Sequence, residues 1–259
     1  MYGRLMNESL KAIIDNKNAL FKALFIPTLV LIGIYFYVPN FIVQNRINFE
    51  SNNDRIAIVL FFYISIVIAV SVHRIILLKD DISFVKSILP SKIDLNFFFK
   101  SVFLGLLAGL VFLVVFFLSK LLFSLFIGQF GLAIAILLAS LITFLAASRF
   151  SMIFPATSIN QKMGFLDSLE FTKNYKFLSL FMVVIFPVIL SVLIAFVYGL
   201  IIKFLSGVVS PHFELLYVFL NVFITVLTIS CLSVTYSYIK EENDKKSLEQ
   251  ELVNKEEEN

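Results

Sequence analysis

The chain has 259 residues, of which 59% are hydrophobic and only 15% are charged, and 31 of them are phenylalanine. Such a composition, with a mean hydropathy of +0.95, excludes an ordinary soluble domain, whose interior cannot bury so much apolar surface. A bilayer solvates this surface directly, so the composition predicts an integral membrane protein. The net charge of +3 is informative only once it is assigned to segments.

Six apolar runs in the sequence are long enough to cross a bilayer as helices. The block from Ser101 to Ala147 is too long for one span, and Gly128 and Gly131 supply the break that divides it into two. We therefore predict an all-α integral membrane protein with six transmembrane helices in residues 1–240, followed by a charged cytoplasmic tail at 241–259. The predicted spans lie near residues 23–38, 56–72, 101–127, 132–148, 177–202 and 215–238.

Amphipathic segments accompany the spans, and with them the pattern suggests three repeated two-helix units. Residues 5–21 predict a basic amphipathic helix, with Asn7 as its N-cap, that lies on an anionic membrane surface or extends the first span. A second short helix is expected at 82–89, ended by Pro90, and a third at 165–176. Pro187 predicts a kink in the fifth span.

The distribution of Lys and Arg predicts the orientation of the chain. All but four of the 21 basic residues fall in the N-terminal segment, the 73–100 loop, the 149–176 segment and the tail. The positive-inside rule then places these segments and both termini in the cytoplasm. The four basic residues outside these segments are Arg46, Arg55, Lys120 and Lys203.

The segment from Arg149 to Lys176, called the island below, carries the most distinctive pattern in the chain. It contains Arg149, then Pro155-Ala156, Gly164, Ser168-Leu169 and Thr172-Lys173-Asn174. In this order and approximate spacing the residues resemble a pattern found in six-span bacterial inner-membrane proteins. That group includes the YciC-like family and the membrane domain joined to some glycerophosphoryl diester phosphodiesterases.

The resemblance implies a six-helix membrane module in which Pro155, Gly164 and Ser168 are structural motif residues. The chain departs from the pattern because Ser168 stands where Ala is frequent, and because it contains no phosphodiesterase domain. The catalytic carboxylates and the metal site of that enzyme therefore cannot be transferred to this chain. From the residues alone, Arg149, Pro155 and Gly164 are equally explained as a membrane anchor, a helix stop and a flexible joint.

Motifs for catalysis or metal binding are absent from the sequence. It contains no G-x-S-x-G elbow, no H-E-x-x-H motif and no phosphate-binding glycine loop. The two histidines, His73 and His212, are predicted at opposite membrane surfaces as interfacial side chains, and Cys231 is the single cysteine. We therefore expect a protein that is not an enzyme and that holds no cofactor and no metal.

Two functions remain compatible with the sequence. The first is a membrane module whose basic cytoplasmic face binds lipid headgroups or another membrane protein, and not nucleic acid. The alternative is a transporter or permease subunit for an uncharged or amphiphilic solute, with a polar path at Asn221 and Thr225. The candidate headgroup or partner contacts of the first hypothesis are Arg74, Lys79, Arg149, Lys162, Lys173 and Lys176.

Overall fold

Helices and turns make up the computed structural model of this chain, which describes residues 1–37, 52–85, 87–127 and 129–257. Within these residues there is no strand, so the predicted all-α class is confirmed. The α-helices are α1 Tyr2–Asp15, α2 Lys17–Tyr37, α3 Asn52–Leu78, α4 Lys92–Ile127, α5 Gln129–Phe150, α6 Ile153–Ser158, α7 Phe165–Phe171, α8 Lys176–Leu180, α9 Phe186–Val208 and α10 Leu216–Glu257.

Six helical stretches of the described chain are long and apolar enough to cross a membrane, which confirms the six-span prediction. Most extend beyond the predicted spans, because polar residues continue the helix past the apolar run. The predicted end of the first span at residue 38 and the predicted break at Gly128 lie outside the described residues. The six stretches are Lys17–Tyr37, Asp54–Leu78, Lys92–Phe123, Phe130–Ser158, Lys176–Val208 and Pro211–Gln250.

The fifth stretch contains a π-helical segment, Phe181–Ile185, between α8 and α9. Pro187 lies at the start of α9, directly after this segment. Proline has no N–H to donate and its ring crowds the carbonyl four residues earlier, so the preceding turn cannot keep the regular α-helical pattern. A widened turn is one of the recognised ways in which a helix accommodates such a residue.

Helix α1 begins at Tyr2, so the predicted N-cap at Asn7 is wrong, and Asn7 lies inside the helix. One face of α1 packs against protein, since Leu5 and Ser9 are both fully buried, whereas Leu10 and Ile14 are exposed. Leu5 belongs to a core cluster that also contains Met152 of the island and Leu227 of α10. Helix α1 ends at Asp15 and is separated from α2 by Asn16, and both predicted alternatives, a helix on the membrane surface and an extension of the first span, stay predictions.

The short helix expected at 82–89 is also wrong, because the described residues there form isolated turns. The hydroxyl of Ser87 donates to the carbonyl of Phe84 at 2.7 Å, and such local bonds compete with the helical pattern. The loop instead folds back along α3, where the Tyr63 hydroxyl donates to the carbonyl of Ile88. The three predicted amphipathic segments, at 5–21, 82–89 and 165–176, therefore differ in structure.

Helix α3 and the part of α10 up to Ile239 contribute side chains to the protein core, whereas α4 and α5 pack mainly on each other. Buried side chains of α3 include Ile64, Val72 and Ile75, and they join residues of α2 and α10 in one cluster. Large apolar side chains of α4 such as Leu106 and Phe117 are exposed. The island and α1 lie at the same end of the molecule as basic residues at helix ends, such as Lys79 after α3 and Arg149 in α5. This end is called the basic end below.

Candidate functional site

Arg149 holds the island to the end of α5. Its Nη2 donates to the carbonyl of Leu169 and its Nε to Oγ1 of Thr172 at 3.0 Å, at the C-terminal end of α7. The Ser168 hydroxyl donates in return to the carbonyl of Arg149 at 2.6 Å, and the Thr172 hydroxyl to the carbonyl of Ser168 at 2.8 Å. A cation near the last carbonyls of a helix satisfies acceptors that the helix leaves open. Arg149 is thus engaged within the protein.

Pro155 and Gly164 mark the two ends of the first half of the island. Pro155 is the third residue of α6, and because it cannot donate to the carbonyl of Ser151, the chain turns at Ser151 and Met152. Asn160 then ends α6 with a φ of 59°, a conformation that asparagine tolerates better than most residues. Gly164 is the N-cap of α7, where its N–H donates to Oδ2 of Asp167 at 2.7 Å.

Helix α10 is bound to the island by side chains that the predicted span did not single out. Tyr236, 2% exposed, stacks on Phe171 with ring centroids 5.3 Å apart and donates to Oε1 of Gln161 at 2.6 Å. Asn243 donates from Nδ2 to the carbonyl of Phe171 at 3.0 Å. The predicted cytoplasmic tail therefore starts as a helix that packs against the island.

His73 is not the interfacial side chain that the sequence predicted, because it is buried with 1% exposure. Its Nδ1 lies 2.7 Å from Oγ of Ser233 on α10. The Ser233 hydroxyl donates to the carbonyl of Ile229, so the proton between the two side chains belongs to Nδ1 of His73. The pair joins α3 to α10 near the basic end.

Helix α1 contacts α10 through small polar residues. The Ser230 hydroxyl donates to the carbonyl of Ser9 at 2.7 Å, and both residues are fully buried. Small residues at such contacts let two helix backbones approach closely. Nearer the start of α1, the Arg4 guanidinium lies over the ring of Tyr238, 5.5 Å from its centroid.

Beside this contact lies a cavity of about 390 Å³, formed by α1, the end of α3 and α10, which we call the α1–α10 cavity. Helix α1 presents Arg4, Glu8 and Ala12 to it, four residues apart and therefore on one face. The size is at the lower end of that of small-molecule sites. The polar side chains that line the cavity are Arg4, Glu8, Lys79, Ser233, Ser237, Tyr238 and Glu241.

Lys79 enters the cavity wall from a backbone conformation that disfavours lysine. It follows the last residue of α3 with a φ of 58°, in the left-handed region where glycine is the usual residue. Its N–H donates to the carbonyl of Ile75, so this conformation ends α3, and Nζ lies 3.5 Å from Oδ1 of Asn16. The side chain is exposed, and such a weak contact leaves its ammonium donors largely available.

The other predicted headgroup contacts lie in different surroundings. Arg74 donates from Nε at 3.0 Å and from Nη2 at 2.6 Å to Oδ2 of Asp80, and so fixes the turn that follows α3. Lys162, Lys173 and Lys176 are exposed on the surface of the island. Of the six predicted cations, Lys79 alone lines the α1–α10 cavity.

The predicted polar path consists of two residues near the start of α10. Asn221 is exposed, and the Thr225 hydroxyl donates to the carbonyl of Asn221 at 2.8 Å within the same helix. Neither residue lines the apolar groove that Phe219, Val222 and Phe223 of α10 form with α2. Their predicted role in transport stays a prediction.

Sequence reasoning did not find Arg4, Glu8 and Glu241 as parts of one site. Their spacing along each helix was visible, but the antiparallel contact that brings residues 4 and 241 together was not. Ser230 and Ser233, three residues apart in an apolar helix, could have indicated that this part of α10 contacts another helix. Small polar residues mark helix contacts in membranes.

The architecture defines a class: a multi-pass α-helical membrane protein with six helices that can span a bilayer. Comparisons with protein-family models, curated proteins and solved structures found no match.

Proposed function

We propose that the chain is a non-enzymatic protein of a bacterial inner membrane that binds phosphate-bearing lipid headgroups at its basic end. The observation that carries the proposal is the α1–α10 cavity, with Arg4 and Lys79 in its wall. The cavity lies where α3 ends and where α1 meets α2. Both α2 and α3 can span a membrane.

The cations of the cavity have donors to offer a phosphate. Lys79 carries three N–H donors, and its contact with the amide oxygen of Asn16 is at the 3.5 Å limit of a hydrogen bond. Arg4 has five donors, of which one engages Glu8 at 3.3 Å, and its side chain is 62% exposed. Each cation near a membrane surface contributes roughly 1 kcal/mol to the binding of anionic lipid. Lys162, Lys173 and Lys176 add positive charge on the neighbouring island.

A double substitution, Arg4→Gln with Lys79→Gln, tests the proposal. The protein would be extracted into native-lipid discs, washed, and examined by mass spectrometry for phospholipid that remains bound. We expect about a tenfold loss of retained phospholipid, since losing two cations removes about 2 kcal/mol at most. Lys11→Gln is the matched control, because Lys11 is an exposed lysine of α1 outside the cavity. Equal retention by the double variant and the control would overturn the proposal.

The orientation of the chain is part of the proposal, because the cytoplasmic leaflet carries the anionic lipid that attracts basic residues. The enrichment of Lys and Arg at the basic end supports a cytoplasmic placement of that end. A reporter enzyme that is active only in the cytoplasm, fused after Lys240, should be active, and the same reporter fused after Val209 should be inactive. The reverse pattern would refute the orientation.

Kinship with the six-span group that includes the YciC-like proteins is also proposed. It rests on Arg149, Pro155, Gly164 and Ser168, and it is supported by the six-helix plan and by the bonds between Arg149 and Ser168.

A further inference from the structure

The charged groups of the α1–α10 cavity are of both signs. Arg4 and Lys79 are balanced by Glu8 and Glu241, so the four side chains carry no net charge. A purely anionic headgroup would gain from the two cations and be repelled by the two carboxylates. A headgroup that carries a phosphate and a cation together meets an opposite charge at each end.

The two signs are also separated within the cavity. Arg4 is paired with Glu8 at 3.3 Å, lies over Tyr238, and is within electrostatic range of Glu241. Among the residues that line the cavity, that end holds two carboxylates and one cation, while Lys245, outside the lining, is a second cation beside Glu241. Glu241 also accepts from Lys245 at 2.9 Å, but a carboxylate has about four acceptor positions, so others remain. At the other end Nζ of Lys79 lies 3.5 Å from the amide oxygen of Asn16.

The order of these charges follows the order of groups in a phospholipid. Lys79 directly follows α3, and Asn16 directly precedes α2, so the cationic end adjoins two helices that can span a membrane. Glu8 lies eight residues before Asn16, about 12 Å along α1. In a phospholipid the phosphate is attached to the glycerol, next to the acyl chains, and an amino group lies beyond it.

The carboxylates favour a primary ammonium over a quaternary one. A primary ammonium donates three hydrogen bonds, which Glu8 and Glu241 can accept, whereas a trimethylated nitrogen donates none. A quaternary ammonium is instead recognised by open aromatic faces. The ring of Tyr238 in this cavity is already covered by the guanidinium of Arg4.

We infer that the α1–α10 cavity binds the headgroup of an ethanolamine phospholipid, with the phosphate at Lys79 and the ammonium at Glu8 and Glu241. This inference rests on the proposed function, which requires only that the cavity binds a lipid phosphate. It adds a selectivity that the cations alone do not provide.

The test compares three phospholipids with the same acyl chains and with ethanolamine, choline or glycerol headgroups. The full-length protein would be reconstituted in discs that contain equal amounts of the three, and retained lipid would be measured by native mass spectrometry. We expect the ethanolamine lipid to be retained about fivefold over either competitor, the effect of one favourable charged contact. Equal retention of the choline or glycerol lipid would overturn the inference.

Substitutions separate the inference from the proposed function. The double substitution Glu8→Gln with Glu241→Gln should abolish the ethanolamine preference while phospholipid stays bound. Glu249→Gln is the control and should preserve the preference, because Glu249 is an exposed glutamate of α10 outside the cavity. Phospholipid binding that depends on Lys79 but lacks headgroup preference would refute only the inference. Phospholipid binding that does not depend on Lys79 would refute both the inference and the proposed function. If soluble phosphoethanolamine displaces the lipid at equal concentration, the ligand is the free compound, and the lipid assignment is wrong.

Discussion

Replacing Arg149 with methionine should lower the free energy of unfolding by about 3 kcal/mol, because two charge-assisted hydrogen bonds are lost and their acceptors are left unpaired. The acceptors are the carbonyl of Leu169 and the hydroxyl of Thr172, and Thr172 is fully buried. The hydrogen bond from the Ser168 hydroxyl to the carbonyl of residue 149 remains, because that acceptor belongs to the backbone. The result should be a loosened island.

Two measurements check this expectation. Denaturant titration in detergent should give a lower midpoint for Arg149→Met, and limited proteolysis should cleave the island between residues 159 and 176 faster than in the unchanged protein. Lys173→Met is the control, because Lys173 is an exposed cation of the same island. If both variants unfold and cleave alike, Arg149 has no anchoring role. In that case the prediction that Arg149 contacts lipid gains weight.

Tyr236→Ala should destabilise the protein by about 3–5 kcal/mol, the range found when a large buried aromatic side chain is removed. The ring of Tyr236 is 2% exposed, stacks on Phe171 and belongs to the cluster that unites α1, the island and α10. Its removal leaves a cavity at the junction of these three elements. We also expect weaker phospholipid binding, because the neighbouring Tyr238 lines the α1–α10 cavity.

The conservative change Tyr236→Phe separates packing from hydrogen bonding. It keeps the ring and loses only the bond to Gln161, so it should cost about 1 kcal/mol. Thermal unfolding of both variants in the same detergent gives the comparison. A phenylalanine variant as unstable as the alanine variant would show that the hydroxyl, and not the ring, holds the junction.

The spans could be predicted from the sequence because the bilayer imposes a requirement that each segment meets by itself. A run such as residues 177–202 is apolar enough to be recognised without any knowledge of its neighbours. The ends of the helices were less predictable. Polar residues such as Lys92 and Asp94 continue a helix once an adjacent apolar turn has started it, and hydropathy does not register them as part of it.

The arrangement at the basic end could not be predicted, because it depends on contacts between residues far apart in the chain. His73 was expected at an interface, yet Ser233, 160 positions later, receives its hydrogen bond in the interior. Arg149 was predicted to contact lipid headgroups or a partner, or to anchor the end of a span, and these stay predictions. Nothing local to residue 149 indicates that the carbonyl of Leu169 comes within its reach.

Substitutions should be tolerated differently on the exposed faces of α4 and α9 than at the basic end. The side chains of Leu106, Phe117 and Phe196 are largely exposed, so exchange among leucine, isoleucine, valine and phenylalanine should be nearly neutral there. Positions such as Ser9, Ser168 and Ser230 accept little beyond a small side chain. Distant descendants of this protein should therefore keep their identity in a few small and polar residues at the basic end, while the long helices drift freely among apolar residues.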